Sequence, residues 1–351
     1  MRPALHPRLV NPPEADPAVY IPFNFQNRSL LFDLGNLEAL SSREILKISH
    51  IFVSHMHMDH FYGFDRVLRL CLGRNKRIHL FGPEKFLSCI EGKLSGYSWD
   101  LVGHYSHPFT IVATEIQKDC QVYQEYPCST GFQPVGAPRI KPVDTILLAE
   151  PSMEVIYTCL DHSNVCLAYA LAERFHINII RDELVALGLS TGPWLMEFKN
   201  ALYRQADPEQ EFEIAIPALN GQKIALGALA DRIARITSGQ KIVYITDAVY
   251  SESNIKKMVK LAENADHLFI EAAFSEAERS LADGKKHLTA WQAGTIAGMA
   301  RVRNFTLFHF SPRYGGNTRF LESEAQSAYE TQMRMDMNRL TLYQDYKRRN
   351  V

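Results

Sequence analysis

The sequence predicts a layered α/β architecture, and three observations predict it. Short apolar runs rich in β-branched and aromatic residues recur along the chain and end in polar turns. Segments with helical spacing lie between several of them, the alternation expected when helices cover sheets. The composition, 46% hydrophobic and 22% charged over 351 residues, suits a globular chain that buries a large core.

Taken in chain order, the first twenty residues carry Pro3, Pro7, Pro12, Pro13 and Pro17 and read as an irregular lead-in. Strands are expected at Ser29–Asp33, His50–Ser54, Arg77–Phe81, Glu154–Thr158, Lys241–Thr246, His267–Glu271 and Phe305–His309. Helical spacing marks Phe61–Leu72, Asn254–Asn264 and Thr289–Arg301. The polar stretch Gln205–Phe212 contains Pro208 and reads as a surface loop. It falls in an expected insertion at about 173–213, within an otherwise single domain spanning 1–351.

The 38 Lys and Arg against 39 Asp and Glu give a net charge of −1. No global field draws in nucleic acid, so such a partner must meet a local basic patch. The clusters available are Arg74/Lys76/Arg77, Lys256/Lys257, Lys285/Lys286 and Lys347/Arg348/Arg349. No apolar stretch approaches the roughly 18 residues that span a bilayer. Met1–Val10 lacks the apolar run of a signal peptide, so no membrane and a cytoplasmic location are expected. Cys71, Cys89, Cys120, Cys128, Cys159 and Cys166 form no CxxC pair and read as small buried hydrophobes.

The sharpest local signal is Val53-Ser-His55-Met-His57-Met-Asp59-His60-Phe-Tyr-Gly63, between an expected strand and an expected helix. His55 and His57 can share one face of an extended segment, while Asp59 and His60 start the helix with different vectors. Imidazole nitrogen with carboxylate oxygen suits zinc or another divalent transition metal. One loop would leave two ions under-coordinated, and further donors end later strands: His162, Asp247 and His309. Each alone reads more simply as a rim residue or a helix cap. Together they make five His and two Asp.

This motif order resembles the metallo-β-lactamase superfamily, and within it the tRNA 3′-processing endonucleases, ribonuclease Z. The resemblance runs from Leu30-Leu-Phe-Asp33-Leu-Gly35 to Phe308-His309-Phe-Ser311-Pro-Arg313-Tyr314. It implies a four-layer αβ/βα sandwich with metals at one edge. It implies one ion on His55, His57 and His162, a second on Asp59, His60 and His309, and Asp247 bridging them. Phe269-Ile-Glu271-Ala-Ala-Phe274 and His287-Leu-Thr289-Ala-Trp-Gln292 resemble two further family motifs, with His287 preceding His309 by 22 residues. Ile270, Ala273 and Leu288 stand where the family commonly has His, Thr and Ser.

The resemblance implies two divalent ions, zinc with manganese or iron as alternatives, that supply hydroxide for in-line attack on a phosphodiester. Asp59 would orient that nucleophile. Glu271 would polarise His287, which would protonate the departing 3′ oxygen of precursor tRNA. Arg313 is a candidate phosphate contact, with a surface salt bridge as the equal alternative. Asp33 reads as an acceptor that orients a ligand histidine. A homodimer is an expectation of the same kind. The alternatives are a hydrolase of the same fold acting on a small phosphodiester or other ester, and a non-catalytic binding protein that kept the fold.

Overall fold

The computed structural model describes residues 5–24, 26–214 and 223–349, with side chains of the last helix described to 335. The first sheet takes eight strands in chain order: β1 (Arg8–Leu9), β2 (Val19–Pro22), β3 (Ser29–Phe32), β4 (Ile48–Phe52), β5 (Lys76–Gly82), β6 (Phe109–Ile116), β7 (Cys120–Pro127) and β8 (Arg139–Pro142). Its centre, β3 to β6, is parallel and its flanks are antiparallel. The chain then forms β9 (Ile146–Ala149), β10 (Met153–Asp161), β11 (Val165–Glu173), β12 (Phe175–Ile179), β13 (Glu211–Glu213), β14 (Lys223–Ala225), β15 (Ala234–Ser238), β16 (Lys241–Ile245), β17 (His267–Glu271) and β18 (Phe305–Phe308). The second sheet has the order β18-β17-β16-β11-β10-β9, with β16 to β18 parallel.

The chain divides into two units. The larger holds Leu5–Leu147, Ile156–Ala170 and the chain from Ile242 on, and the smaller holds Leu148–Val155 and Leu171–Lys241. In the larger unit the period of two along each strand builds the layers. Leu31, Ile51, Val53, Ile78 and Leu80 point one way and pack on Phe64, Val67, Leu68, Phe86 and Ile90 of the helices Phe64–Cys71 and Phe86–Ser95. Val243, Ile245, Leu268, Ile270 and Leu307 pack on Met258, Leu261, Ala293, Ile296 and Leu321 of the helices Glu252–Ala262, Ala290–Met299 and Arg319–Arg349.

The intervening residues meet between the sheets. Phe32 stacks on Tyr169 and Tyr244 with centroids 5.7 and 5.6 Å apart, and Tyr244 stacks on Phe308 at 5.2 Å. Each of these fully buried rings contributes about 1.5–3 kcal/mol by leaving water. The order helix, sheet, sheet, helix is the four-layer sandwich that the sequence predicts.

The smaller unit pairs β12 with β15 and closes over Trp194, Phe198, Ile214, Leu226, Leu229 and Ile233. The segment 173–213 falls within this unit, which continues to Lys241. All six cysteines are free, but Cys159 is exposed and Cys89 and Cys120 are half-buried, unlike the buried positions expected. Cys159 lies near the end of β10, where the burial alternation that holds Met153, Val155 and Tyr157 inward breaks. Arg77 pairs with Glu125 and Lys256 with Glu252, ordinary surface pairs. The side chains of Lys347, Arg348 and Arg349 lie outside the described residues. Among the described residues no helix is long and apolar enough to cross a membrane.

One close approach fixes the loop that carries the histidines. The Gly63 N–H donates to Leu34 O at 2.7 Å, and a Cβ on Gly63 would lie 2.3 Å from Gly35 O. Gly63→Ala must therefore push the Asp33-Leu34-Gly35 turn off the helix start. The expected loss is about 1–3 kcal/mol, read as a lower thermal midpoint by circular dichroism.

Candidate metal centre and active site

Strands of both sheets end at the site. His55 and His57 follow β4, His162 follows β10, Asp247 follows β16, Glu271 ends β17 and His309 follows β18. Asp33, Asp247 and His309 all leave their strands with positive φ, at 56°, 37° and 62°. Non-glycine residues are held there only where the surroundings require it, and such positions gather at functional sites. His57 caps the short helix Met58–Phe61 through its backbone alone, which leaves its ring available as a donor.

The carboxylate of Asp247 divides its oxygens between two groups of imidazoles. Oδ2 lies 3.5 Å from His55 Nε2 and 3.6 Å from His162 Nε2. Oδ1 lies 3.6 Å from His60 Nε2 and 3.5 Å from His309 Nδ1. Asp59 Oδ2 joins the second group, 3.3 Å from His60 Nε2 and 3.2 Å from His309 Nε2. Donor atoms of His55, His57, His162 and Asp247 fall within 4.8 Å of one another, as do those of Asp59, His60 and His309.

Two donors each about 2.0–2.1 Å from one ion at tetrahedral angles stand about 3.3–3.4 Å apart, close to these spacings. Three buried ring atoms, His55 Nε2, His60 Nε2 and His309 Nδ1, have no hydrogen-bond partner. A protein that strands three buried polar atoms at one point carries a cost that a cation relieves. The donor set fits a divalent metal ion.

The opposite ring nitrogens fix which lone pairs face the centre. His60 Nδ1 is 2.7 Å from Asp33 Oδ2, and His162 Nδ1 is 3.0 Å from Lys286 O. Carboxylate and carbonyl oxygens only accept, so the proton sits on Nδ1 and Nε2 presents its lone pair. Ser54 Oγ donates to Asp33 Oδ2 at 2.7 Å, which leaves it as acceptor for His55 Nδ1 at 3.1 Å. Asp33 also accepts from Ser54 N–H at 2.6 Å and from Tyr244 Oη at 2.6 Å.

One buried carboxylate therefore orients a histidine in each donor group, as the sequence suggests for Asp33. Ser54 and Tyr244 are missed by sequence reasoning. Asp33→Asn, which turns an amide toward these donors, is expected to weaken metal affinity about 10–100-fold in a competition titration with a chromogenic chelator.

Burial alone would raise the Asp247 and Asp59 carboxyls, but the imidazoles around them outweigh it and hold both well below the ordinary carboxylate range. Burial likewise pulls His55 down to about 2, so its ring is neutral, as a ligand must be.

Glu271 and His287 form a further pair, whose donor atoms also fall within 4.8 Å of those of Asp247 and His309. His287 Nδ1–H donates to Glu271 Oε2 at 2.9 Å, and Glu271 Oε1 accepts from Ala248 N–H at 2.7 Å. Burial would lower His287, but the Glu271 charge and hydrogen bond prevail and push it up to about 9. A capping box places it: Thr289 Oγ1 accepts from Gln292 N–H at 3.2 Å, and Gln292 Oε1 accepts from Thr289 N–H at 2.9 Å. The N-cap of Ala290–Met299, Thr289, is thereby fixed two residues after His287. His287 Nδ1 lies 4.0 Å from Asp247 Oδ2, so the pair borders the metal centre.

A cavity of about 350 Å³ opens beside Asp59, His287 and His309. Lys285 lines it, as its place next to His287 suggests, and so does the N-terminal loop through Glu14 and Asp16. That loop is also missed by sequence reasoning, for nothing local to it marks a site. Arg313 is not brought to the cluster: its guanidinium, 48% exposed, pairs with Glu278 at 3.0 Å.

With this geometry in place, comparison with known proteins is informative. No protein-family model matches the sequence. The metallo-β-lactamase fold protein YhfI of Bacillus subtilis superposes with a TM-score of 0.50 at 16% identity, covering 91% of this chain and 88% of that one. The chain has the metallo-β-lactamase fold. It is similar to Ribonuclease Z of Deinococcus radiodurans, 28% identical over 289 residues that cover 81% of this chain and 83% of that protein. It is 28% identical over 296 residues to Ribonuclease Z of Crocosphaera subtropica, covering 82% and 77%. The resemblance to ribonuclease Z that the sequence motifs carry thus extends over most of this metallo-β-lactamase-fold chain.

Proposed function

We propose that the protein is a metal-dependent phosphodiesterase of the ribonuclease Z type, hydrolysing precursor tRNA on its 3′ side. The observation that carries this reading is the division of the Asp247 oxygens between two imidazole groups, with the Glu271–His287 pair against them. Two ions are proposed, one on His55, His57 and His162, the other on Asp59, His60 and His309, with Asp247 shared. Nitrogen and carboxylate donors suit zinc, with manganese or iron as alternatives. Such ions, when bound, supply Lewis acidity that eases the ionisation of water and neutralises phosphate charge.

Asp59 is the most open of the carboxylates, 40% exposed, and it lines the cavity. It orients the attacking water and takes up its proton. The water oxygen bonds to phosphorus as the bond from phosphorus to the 3′ oxygen breaks. His287 delivers its proton to that oxygen, and Glu271 holds the ring through Nδ1 so that Nε2 faces the leaving atom. The products are a 3′ hydroxyl on the tRNA and a 5′ phosphate on the trailer. Arg313 is proposed as a phosphate contact, since a phosphodiester would compete with Glu278 for its half-exposed guanidinium.

The test is incubation of metal-loaded protein with precursor tRNA and mapping of the cut. Cleavage next to the acceptor stem, lost in Asp59→Ala, supports the reading. An intact precursor under conditions that hydrolyse bis-p-nitrophenyl phosphate moves the substrate to a small diester. The reading carries with it a cytoplasmic homodimer, and a monomer mass by light scattering would remove the dimer.

A further inference from the structure

We infer that the cavity beside His287 binds the nucleoside that bears the leaving 3′ oxygen, and that Glu14 and Asp16 read the exocyclic amino group of its base. The inference rests on the phosphodiesterase reading above and names a subsite within it.

The cavity is bordered by His287, the group assigned to the leaving oxygen, and by Asp59 and His309 of the metal centre, so the part of it against His287 can take the nucleoside that leaves. Its volume of about 350 Å³ is at the lower end of the range of about 300–1,000 Å³ for small-molecule sites. Phe274 and Phe310 are among the residues that line it, adding apolar surface to the cavity. The remaining wall is the N-terminal loop, and that loop is built rather than draped. Pro13 O accepts from Phe310 N–H at 3.0 Å, tying the loop to the residue after His309. Asn11 Nδ2 donates to Asp16 O and to Asn36 O, each at 2.7 Å. Pro17 O accepts from Gly35 N–H at 3.0 Å, where a Cβ on residue 35 would come within 2.6 Å of that oxygen.

This anchoring sets two carboxylates into the cavity wall; among the described residues no lysine or arginine pairs with either, while Asp16 lies within electrostatic reach of Asp59, His60 and His309. Lining the same cavity as Asp59, they add negative charge on one side of a site for an anionic diester. That arrangement excludes a second phosphate from the cavity and favours an uncharged group rich in N–H donors. Lys285 lines the same cavity and is available to the scissile phosphate. Adenine, cytosine and guanine each offer an amino group, whereas uracil flanks its one N–H with two carbonyls, which a carboxylate repels. The structure therefore assigns to Glu14 and Asp16 a selection against uridine on the 5′ side of the cut.

The experiment uses the full-length, metal-loaded protein with Asp16→Asn and Glu14→Gln. Four precursor tRNAs, identical except for the nucleotide 5′ of the scissile phosphate, are compared by kcat/KM. The four free nucleosides are compared in parallel by saturation-transfer NMR. Wild type is expected to disfavour uridine about tenfold in both assays, and each variant to flatten the series. Glu14 is exposed, so Glu14→Gln keeps the test open should Asp16→Asn fold poorly.

Equal signals from uridine and the other nucleosides with wild type overturn the inference, whether or not any precursor is cut. So does a variant that slows all four precursors equally, or an Asp16→Asn protein that loses metal by elemental analysis, which would make Asp16 a ligand. Selective nucleoside binding with every precursor left intact supports this subsite and overturns the tRNA reading instead.

Discussion

Replacing Asp247 with alanine is expected to strip both donor groups of their ions together and to lower phosphodiesterase activity at least about 10³-fold, a loss of several kcal/mol of transition-state stabilisation. The geometry makes this the most damaging single change at the centre. His57 or Asp59 serves one donor group, but Asp247 places one oxygen 3.5–3.6 Å from His55 and His162 and the other 3.5–3.6 Å from His60 and His309. Its removal leaves four imidazoles packed together with no shared anion, so each group loses its charge balance as well as a donor. Elemental analysis of purified Asp247→Ala against His57→Ala reads this directly. The first should lose all bound metal, the second about half. Retention of one ion by Asp247→Ala would assign the carboxylate to a single metal and sink the bridging role. Circular dichroism melting of both variants shows whether the loss is local to the centre.

The donors of this centre are legible in the sequence for a simple physical reason. The candidate ligands sit where strands end, and a strand announces itself as a short apolar run, so His162, Asp247 and His309 stand at readable positions. What supports them is not legible. Tyr244 is separated from Asp33 by 211 residues, and its hydroxyl reaches that carboxylate only because Phe32 and Tyr244 stack between the sheets. Residues 11–17, with Pro12, Pro13 and Pro17, read in the sequence only as an irregular lead-in. Their place in the cavity wall comes from backbone hydrogen bonds to Gly35 and Phe310 and from the Asn11 side chain bonding Asp16 O and Asn36 O, contacts that no local pattern announces.

The departures from the family motifs resolve in the same terms. Ile270 and Leu288 are fully buried against the outer helices, while Glu271, the next residue on β17, turns to the opposite face and meets His287. Ala273 is likewise buried, beside Phe274 and Ala282. The altered positions pack the core, and the paired carboxylate and imidazole do not depend on them.

His287→Ala is expected to slow cleavage of RNA by about 10²–10⁴-fold while leaving bis-p-nitrophenyl phosphate hydrolysis little changed. The two substrates differ in what leaves. Nitrophenolate is stable as an anion at neutral pH and needs no proton. A ribose 3′ oxygen departing without one would be an alkoxide about as basic as hydroxide, which forms from water of pKa about 15.7. His287 is the group placed to supply that proton, held by Glu271 at 2.9 Å and only 18% exposed, so bulk water is a poor substitute. Glu271→Gln should show the same selectivity with a smaller loss, because Glu271 acts by positioning and charging the ring rather than by touching substrate. Metal content serves as the control, since His287 Nδ1 lies 4.0 Å from Asp247 Oδ2. Equal slowing of both substrates with metal retained would mean that His287 organises the site rather than donating a proton. A selective loss of kcat for RNA at saturating substrate, with metal retained, assigns His287 to the step in which the leaving oxygen needs its hydrogen, whereas a selective rise in KM would assign it to binding the nucleoside.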